Sequence, residues 1–269
     1  MSANSSSKTY VYGKHAVHEA LAHASHAIQK VFLAPHFDEP KLLSILKRTK
    51  ITTGLLTQDD LRKMSAHGIT DDTNHQGVIA EIRLEKLLKS YKEFAAGLPA
   101  GADGKVTPDT ALVILGELQD AQNIGAVIRS AAAFGIAGIL VPEHNNAPIN
   151  GAAIKVSAGM AFRIPLVTIG NINNAVRDLK ERGFWIYGLE GEGKNSINKE
   201  KFDAPAVFIL GNEATGIREK TLELCDVVLS IPTHPQCESL NAAASAAVTL
   251  YAWSREHWSA LKNDKSPMQ

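Results

Sequence analysis

The sequence predicts an α/β protein built from two domains. Its 269 residues exceed the length of most single domains. In the second half of the chain, short apolar runs alternate with segments whose apolar residues recur at helical spacing. Uninterrupted apolar strands are typical of a parallel sheet that is covered by helices on both faces. The first half alternates in the same way with shorter elements, which indicates a smaller α/β domain.

Composition marks the boundary between the two domains. Residues 94–108 are rich in Gly, Ala and Pro and carry no sustained apolar period, as is typical of linkers. We therefore expect the chain to divide into five parts. They are a tail at residues 1–8, a first domain at 9–92, a linker at 93–108, a second domain at 109–262 and a tail at 263–269.

Local patterns predict the elements of the first domain. Val17, Ala20 and Leu21 lie at i, i+3 and i+4 and so share one helical face. Short apolar runs bounded by polar or glycine residues predict strands. The predicted elements are a helix around residues 17–21, a strand at 28–34, a helix at 42–46, a strand at 54–57, a helix from Asp59 or Asp60, and a strand at 77–82.

The second domain contains the clearest helix signal of the chain. Apolar residues from Ile124 to Ala132 follow helical spacing, and Gly135 supplies a stop signal after them. The other elements follow from apolar runs and the segments between them. The predicted strands lie at residues 111–115, 139–141, 185–187, 207–210 and 227–231, and the predicted helices at 123–134, 152–159, 172–182 and 241–258.

Composition excludes several classes of protein. Lys and Arg total 28, as do Asp and Glu, so the net charge of zero argues against coating nucleic acid by bulk charge but leaves room for a local basic groove. Cys225 and Cys237 are the only cysteines, so we expect neither a disulfide framework nor a structural zinc site, and a cytoplasmic location. No apolar run reaches the roughly 18 residues of a membrane span, and the start lacks a secretory signal.

The first domain is modestly basic. Lys and Arg slightly outnumber Asp and Glu between residues 9 and 92, and seven of the ten histidines lie there. Residues 47–50 (Lys-Arg-Thr-Lys) form its densest basic cluster. Two interpretations stay open for this cluster: a solvated helix end, or a patch that contacts phosphate groups.

A glycine-rich stretch after the strand at 185–187 comes close to a phosphate-binding P-loop. Residues 188–194 have nearly the right spacing, but Asn195 stands where a Ser or Thr would hold magnesium. The segment that follows is too short and polar for the required helix. No Gly-x-Gly-x-x-Gly opens a βαβ unit either. Nucleotide hydrolysis and a Rossmann-type dinucleotide site are therefore not predicted.

Three strand-to-loop junctions instead concentrate polar residues. They occupy residues 116–129, 211–213 and 231–241. In parallel sheets, ligands bind outside the carboxyl ends of the strands. We therefore expect the three junctions to form one site.

These three segments resemble the signature motifs of SPOUT-class RNA methyltransferases, in the SpoU (TrmH-like) branch that modifies the ribose 2′-hydroxyl. Residues 12–18 and 74–80 also resemble the ends of the substrate-binding domain of bacterial large-subunit ribosomal RNA guanosine 2′-O-methyltransferases. The resemblance covers most of the chain. It implies a ribosomal-protein-like first domain, a second domain with a deep trefoil knot, S-adenosylmethionine as methyl donor, and a homodimer with active sites near its interface.

The resemblance also assigns roles to eight residues. The positions that match backbone contacts to the cofactor are Gly211, Ile231 and Leu240. The positions that match residues with catalytic roles are Asn123, Arg129, Glu213, Ser239 and Asn241. A structural interpretation stands beside some of these roles, since Asn123 and Ser239 each also fit the N-cap of a helix.

Arg129 matches an arginine that is a candidate base for the ribose hydroxyl in this family. Because a guanidinium group stays protonated in proteins, we expect Arg129 to hold the target phosphate and polarise the hydroxyl instead. The RNA phosphate or another residue would then accept the proton. Glu213 would orient Arg129 or the ribose. Cys237 is not expected to act as a nucleophile, because methyl transfer in this class is a direct displacement.

The chain departs from the family pattern in two places. Ala121 and Gln122 stand where Pro and Arg are usual, and residues 233–237 replace a small, glycine-containing stretch. Neither change removes a residue with an assigned role. The predicted function is methylation of a guanosine ribose in RNA, most of all 23S ribosomal RNA, without a metal. The alternatives are methylation of tRNA and a non-catalytic role in RNA binding or assembly.

Overall fold

The computed structural model describes residues 8–70, 72–101, 104–191, 193–237 and 239–261. Most of the two predicted tails therefore lies outside the described residues. The chain divides into two compact units. The first comprises residues 1–88 and 148–163, and the second comprises 89–147 and 164–269. Among the described helices, none is long and apolar enough to cross a membrane.

The helices and strands alternate along most of the described chain. Up to residue 96 they are β1 (Lys8–Tyr12), α1 (Lys14–His23), β2 (Ile28–Leu33), α2 (Pro40–Arg48), β3 (Thr52–Leu55), α3 (Gln58–Met64), β4 (Val78–Arg83), β5 (Leu88–Ser90) and α4 (Tyr91–Ala96). From residue 111 they are β6 (Ala111–Leu115), α5 (Ala121–Ala133), β7 (Gly138–Pro142), α6 (Gly151–Val156), β8 (Leu166–Ile169), α7 (Ile172–Glu181), β9 (Trp185–Leu189), β10 (Asn195–Ser196), β11 (Ala206–Leu210), α8 (Glu219–Leu222), β12 (Val227–Ser230), α9 (Ala242–Glu256) and α10 (Trp258–Leu261).

The first unit is built on a four-stranded sheet in the order β1-β4-β2-β3. Strand β4 runs antiparallel to both β1 and β2, whereas β2 and β3 are parallel. Phe32, Met64 and Ile79 belong to its buried core. Helix α3 begins after Thr57, whose side chain forms a reciprocal capping box with Asp60. The helix therefore starts one residue before the predicted Asp59.

The second unit is built on a sheet of eight described strands in the order β10-β12-β9-β11-β6-β7-β8-β5. All the pairs between neighbours from β10 to β8 are parallel. Strands β6 and β11 are buried at every residue, as expected for a sheet covered on both faces. The predicted α/β fold with a parallel sheet and a smaller first domain is confirmed.

The stretch that composition predicts to be a linker is partly ordered structure of the second unit. Helix α4 begins after Ser90, whose hydroxyl accepts from the backbone of Glu93. Tyr91 and Phe94 pack against the buried core of the sheet. The Tyr91 hydroxyl donates to Asp178 Oδ2 at 2.6 Å. Gly and Ala in this stretch therefore surround a short anchored helix.

Four of the described strands escape the sequence patterns, namely β1, β5, β8 and β10. Strand β1 begins with the polar residues Lys8 and Thr9 and is held by its antiparallel pairing with β4. Strand β8 has only four residues and is held by its parallel pairing with β7.

The helix predicted at 152–159 ends at Val156, because Ala158 and Gly159 adopt positive φ angles of 51° and 79°. Each difference comes from contacts or backbone geometry that periodicity does not report.

Candidate active site

Four adjacent strands of the second unit assemble the site. In the order β12-β9-β11-β6 they are parallel neighbours, so their carboxyl ends meet at one edge of the sheet. The loops that leave this edge contain the three predicted junctions and the segment after β9. The prediction that the junctions lie together is confirmed by this strand order.

A cavity of about 380 Å³ opens at this edge, within the size range of pockets that bind small molecules. Apolar side chains and polar groups both contribute to its wall. Its lining residues are Leu189, Glu190, Gly191, Leu210, Gly211, Asn212, Glu213, Gly216, Leu229, Ile231, Thr233, Ser239, Leu240, Asn241, Ala242, Ser245 and Thr249. All three predicted cofactor residues, Gly211, Ile231 and Leu240, are among them.

Gly211 marks a close approach between two backbone segments. A Cβ atom at this position would lie 2.5 Å from the backbone carbon of Gly216 and 2.6 Å from the nitrogen of Ile217, distances that no side chain tolerates. Asn212 and Gly216 exchange two backbone hydrogen bonds of 2.9 Å. The tight turn therefore requires glycine at position 211.

Two further side chains fix this turn. Asn212 Oδ1 accepts from the backbone N–H groups of Ala214 and Thr215 at 2.9 and 3.1 Å. From the end of β9, Glu190 Oε1 accepts from the backbone of Ile217 at 2.6 Å. Glu190 and Asn212 both line the cavity. The turn after β11 is therefore stabilised by its own residue Asn212 and by Glu190, which follows the neighbouring strand β9.

Glu213 ties the turn to the start of helix α5. Its carboxylate accepts from Asn123 Nδ2 at 3.0 Å and from the backbone N–H groups of Gln119 and Asp120 at 3.1 and 3.3 Å. Burial opposes ionisation of Glu213, but these donors outweigh it and hold the pKa of the carboxyl below its ordinary value. A negative charge beside a helix N-terminus is also favoured by the helix dipole.

Asn123 and Asn241 extend this network across the site. Asn241 Nδ2 donates to Asn123 Oδ1 at 2.9 Å, and the Asn241 Oδ1 atom accepts from the backbone of Ala243 and Ala244. Asn241 therefore caps helix α9. The N-cap of α5 is Asp120, so the interpretations of Asn123 and Ser239 as caps are wrong. Buried Asn123 is free to link Glu213 to Asn241 instead.

The loop that departs from the family pattern is closed by local contacts. The backbone of Cys237 donates to the His234 carbonyl at 2.8 Å, and the backbone of Gln236 donates to His234 Nδ1 at 3.3 Å. Among residues 233–237, Thr233 alone lines the cavity. Ser239 also lines it. The loop 233–237 therefore contributes only its first residue to the cavity, and the chain returns to the cavity wall at Ser239.

Arg129 is placed apart from this network. It lies two turns along α5 from Asn123, and its side chain is exposed. It does not line the cavity, and Glu213 hydrogen-bonds to Asn123 and to backbone rather than to Arg129. Of the eight residues with assigned roles, six line the cavity. Asn123 hydrogen-bonds to two of these six, Glu213 and Asn241. Arg129 lies outside both the cavity and this network.

Sequence reasoning missed a second link between the loops. Glu117 has a positive φ of 67°, and its carbonyl accepts from Asn212 Nδ2 at 2.9 Å. Its carboxylate pairs with Arg218 at 2.8 Å. Glu117 lies in the junction after β6 and Asn212 in the junction after β11, so their hydrogen bond joins two of the predicted junctions. The ion pair with Arg218 adds a contact just beyond the second of them. Position directly after a strand was the only available signal for Glu117.

Sequence profiles of two families match this chain. The SpoU rRNA Methylase family matches residues 110–251. A domain described as RNA 2′-O ribose methyltransferase substrate binding matches residues 10–87. The two matches fall on either side of residues 88–109.

Named relatives match over nearly the full chain. The 23S rRNA (guanosine-2′-O-)-methyltransferase RlmB of Xanthomonas axonopodis pv. citri is 31% identical over 90% of this chain and 94% of its own length. The enzyme of the same name from Vibrio parahaemolyticus is 31% identical over 94% of this chain and 99% of its own. The crystal structure of the SpoU methyltransferase AviRb from Streptomyces viridochromogenes with AdoMet superposes with a TM-score of 0.75, 22% identity and coverage of 94% and 91%. That likeness shows a shared fold.

Proposed function

Because the chain belongs to the SpoU rRNA methylase family, we propose that it transfers a methyl group from S-adenosylmethionine to a guanosine ribose 2′-hydroxyl in 23S ribosomal RNA. Relatives named for this activity align with nearly the whole chain. The observation that carries the proposal is the cavity at the sheet edge, whose wall contains Gly211, Ile231 and Leu240. A cytoplasmic location fits a ribosomal RNA substrate.

The cavity fits the proposed cofactor. Leu189, Leu229 and Ile231 provide apolar surface for a flat heterocycle. Glu190 and Glu213 also line the cavity, and their carboxylates suit the charged and hydroxyl-bearing parts of the molecule. When bound, S-adenosylmethionine supplies a methyl group activated by a positively charged sulfonium.

The hydrogen-bonded network would position the reacting groups. Glu213 is ionised at neutral pH and is already held by three donors, so it acts as a positioning residue rather than as a base. Asn123 and Asn241 hold α5 and α9 at the cavity. The described residues provide no hydrogen bond to the Ser239 hydroxyl, which is exposed beside the cavity. Ser239 is therefore available to contact the target ribose.

Arg129 would hold the RNA phosphate next to the target ribose. Its side chain is exposed, and within the described part of the chain it makes no hydrogen bond or ion pair. A guanidinium group in this state can take a phosphate in a bidentate contact. Since Arg129 does not line the cavity of its own chain, RNA or a second subunit must bring phosphate and cofactor together.

A homodimer would supply that second subunit. Helix α9 and the adjoining α10 expose large apolar side chains, with Val248 at 41%, Tyr251 at 56% and Trp258 at 64%. The ring of Tyr251 also packs at a tilt of 59° against Phe134, which follows α5, with the ring centroids 5.8 Å apart. An apolar surface of this kind is typical of subunit contacts. It includes the outer face of the helix that carries Asn241, Ser245 and Thr249 to the cavity, so the two active sites would lie near the interface.

The first unit would recognise RNA structure. It contains the residues that match the substrate-binding profile, and we propose residues 9–92 as this domain and 109–262 as the methyltransferase domain. Lys47 and Arg48 end helix α2 with exposed side chains. They suit the helix dipole, and they also present charge to phosphate. The deep trefoil knot stays a prediction of the family resemblance.

Mapping of 2′-O-methyl groups in total RNA, with and without the active gene, tests the substrate. Loss of one methylated guanosine in 23S RNA supports the proposal, whereas loss of a tRNA methyl group supports the alternative. Calorimetry of the purified protein with S-adenosylmethionine tests the enzyme class. RNA binding without cofactor binding would indicate the non-catalytic assembly role.

A further inference from the structure

Glu117 has a backbone conformation that favours glycine. Its φ angle is 67°, and a residue with a side chain is uncommon in this region because its Cβ atom is crowded by the backbone. Strain of this kind persists where the surroundings fix it, and it concentrates at functional sites. Two side-chain amides fix it here, because the Glu117 carbonyl accepts from Asn212 Nδ2 at 2.9 Å and from Gln119 Nε2 at 3.0 Å. The presence of a glutamate side chain at this position therefore needs an explanation.

The carboxylate of Glu117 holds the guanidinium group of Arg218. Glu117 Oε2 accepts from Arg218 Nε at 2.9 Å and lies 2.8 Å from Nη2. The Arg218 side chain is 66% exposed and that of Glu117 is 20% exposed. An ion pair this accessible contributes little to stability, because water and salt screen it. Since glycine would relieve the backbone strain, stability alone does not account for the pair.

Arg218 presents unused donors at the sheet edge that contains the cavity. A guanidinium group has five N–H donors, and among the described residues the Nη1 atom of Arg218 has no hydrogen-bond partner. Gly216, two positions earlier, lines the cavity, whereas Arg218 does not. The planar group is therefore held in one orientation beside the cavity, with free donors in contact with solvent.

The loops around Arg218 are otherwise acidic. In segments 116–123 and 211–218, the charged residues are Glu117, Asp120, Glu213 and Arg218. An RNA strand that reaches the cavity brings a negative charge with each phosphate, which these carboxylates repel. Arg218 supplies the positive charge in these two segments, and a guanidinium group matches a phosphate through a bidentate contact.

We propose that Arg218, oriented by Glu117, binds a backbone phosphate of the RNA substrate at the mouth of the cavity. This inference rests on the proposed function. It gives the methyltransferase domain a phosphate contact in addition to that of Arg129 on helix α5. Glu117 is a positioning residue, because it contacts the guanidinium group rather than the RNA. The carboxylate at a strained position fixes the direction in which the guanidinium group presents its donors.

RNA binding by the full-length chain tests the inference. The probe is 23S ribosomal RNA from cells that lack the gene, titrated at several salt concentrations. Arg218→Ala should weaken binding about 10-fold. It should also reduce the slope of log affinity against log salt concentration by about 1, as expected for one lost phosphate contact. Arg218→Lys keeps the charge, so its slope should match that of the wild type.

Arg182→Ala is the matched control. Arg182 is also an ion-paired arginine of the second unit, but it precedes β9 and so lies at the amino end of that strand. Its removal should leave both the RNA affinity and the salt slope unchanged.

Two further measurements separate phosphate binding from a structural role. Arg218→Ala should keep the wild-type affinity for S-adenosylmethionine in calorimetry, since Arg218 does not line the cavity. Glu117→Gly should not lower the thermal midpoint, because glycine adopts a positive φ without strain. The same variant should bind RNA more weakly, although it removes a negative charge, because Arg218 is no longer oriented.

Three results would overturn the inference. They are an unchanged salt slope in Arg218→Ala, a loss of cofactor affinity in that variant, and an RNA affinity of Glu117→Gly that equals or exceeds that of the wild type. A wild-type chain that methylates no guanosine in 23S RNA would reject the proposed function, and this inference with it.

Discussion

Asn241 donates from its Nδ2 atom to Asn123 Oδ1 at 2.9 Å and at the same time caps helix α9 with its Oδ1 atom. One side chain therefore fixes the start of α9 and connects it to α5. Through Asn123, the contact continues to Glu213 in the turn after β11. Three loops of the site depend on this chain of amide and carboxylate groups.

Replacing Asn123 by Asp should disrupt this chain while preserving its shape. The variant can still accept from Asn241, but it loses the donor to Glu213 and places two carboxylates side by side. Breaking a hydrogen bond to a charged group costs about 1–3 kcal/mol. We expect a lower thermal midpoint and a larger loss in methylation rate than in cofactor affinity. A thermal midpoint of Asn123→Asp equal to that of the wild type would contradict the role of the hydrogen bond between Asn123 and Glu213.

The stability supplied by Glu213 should depend on pH in the acid range. Its folded-state pKa lies below its ordinary value, so the ionised carboxyl stabilises the fold at neutral pH. That contribution is present above the unfolded pKa and is lost as the pH falls through the folded pKa. Glu213→Gln should therefore be less stable than wild type at pH 7, and the difference in thermal midpoint should shrink below about pH 4.5. A constant difference would argue against this account.

Arg129→Ala should abolish methylation yet leave binding of S-adenosylmethionine largely intact. Arg129 is exposed and lies outside the cavity, so its removal does not alter the cofactor's surroundings. Arg177→Ala provides a control, since Arg177 is also an exposed helical arginine of this unit, and among the described residues its side chain hydrogen-bonds to Asn174 alone. Calorimetry and a methyl-transfer assay separate the two effects. Equal losses of binding and methylation in Arg129→Ala would refute the role.

Gly211→Ala should damage the cavity. The added methyl group would meet backbone atoms of Gly216 and Ile217, which cannot rotate away. We expect cofactor binding to be lost together with a fall in thermal midpoint. Gly191 lines the same cavity but has open space around a Cβ atom, so Gly191→Ala should bind the cofactor nearly normally. Similar binding by both variants would show that the close approach at Gly211 does not matter.

Tyr251→Glu should convert the proposed dimer into a monomer. The charged side chain would enter the apolar surface formed with Val248 and Trp258. Sedimentation analysis of the purified chain should give twice the chain mass for wild type and the single mass for the variant. The control is Leu55→Glu, which places the same charge at an exposed apolar position of the first unit and should leave the dimer intact. A monomeric wild type would reject the dimer.

Some of this architecture could be predicted from the sequence and some could not. The apolar period of α5 and the buried runs of β6 and β11 identified the main elements. The predicted junctions at the strand ends contain eight of the seventeen residues that line the cavity, and the family resemblance assigned roles to six of them. The hydrogen-bond partners of the site residues were harder to predict, because Glu213 accepts from groups 90 or more positions away in the chain. Only the strand order brings such residues together.

Two further features depended on information that no local pattern contains. Helix α4 lies in a Gly- and Ala-rich stretch, and its place is fixed by the packing of Tyr91 and Phe94. The hydrogen bond between Asn241 and Asn123 joins residues 118 positions apart, and only the folded chain brings them within reach of each other.

The position of α9 in the chain has a consequence for biosynthesis. This helix forms one wall of the cavity, yet it follows all eight described strands of the sheet. On the ribosome, all the described strands of the sheet are therefore synthesised before the helix that closes the cavity. Because long-range contacts form slowly, the step from sheet to finished pocket should come late in folding. The newly made enzyme would thus gain its methyl donor only after synthesis of this domain is almost complete.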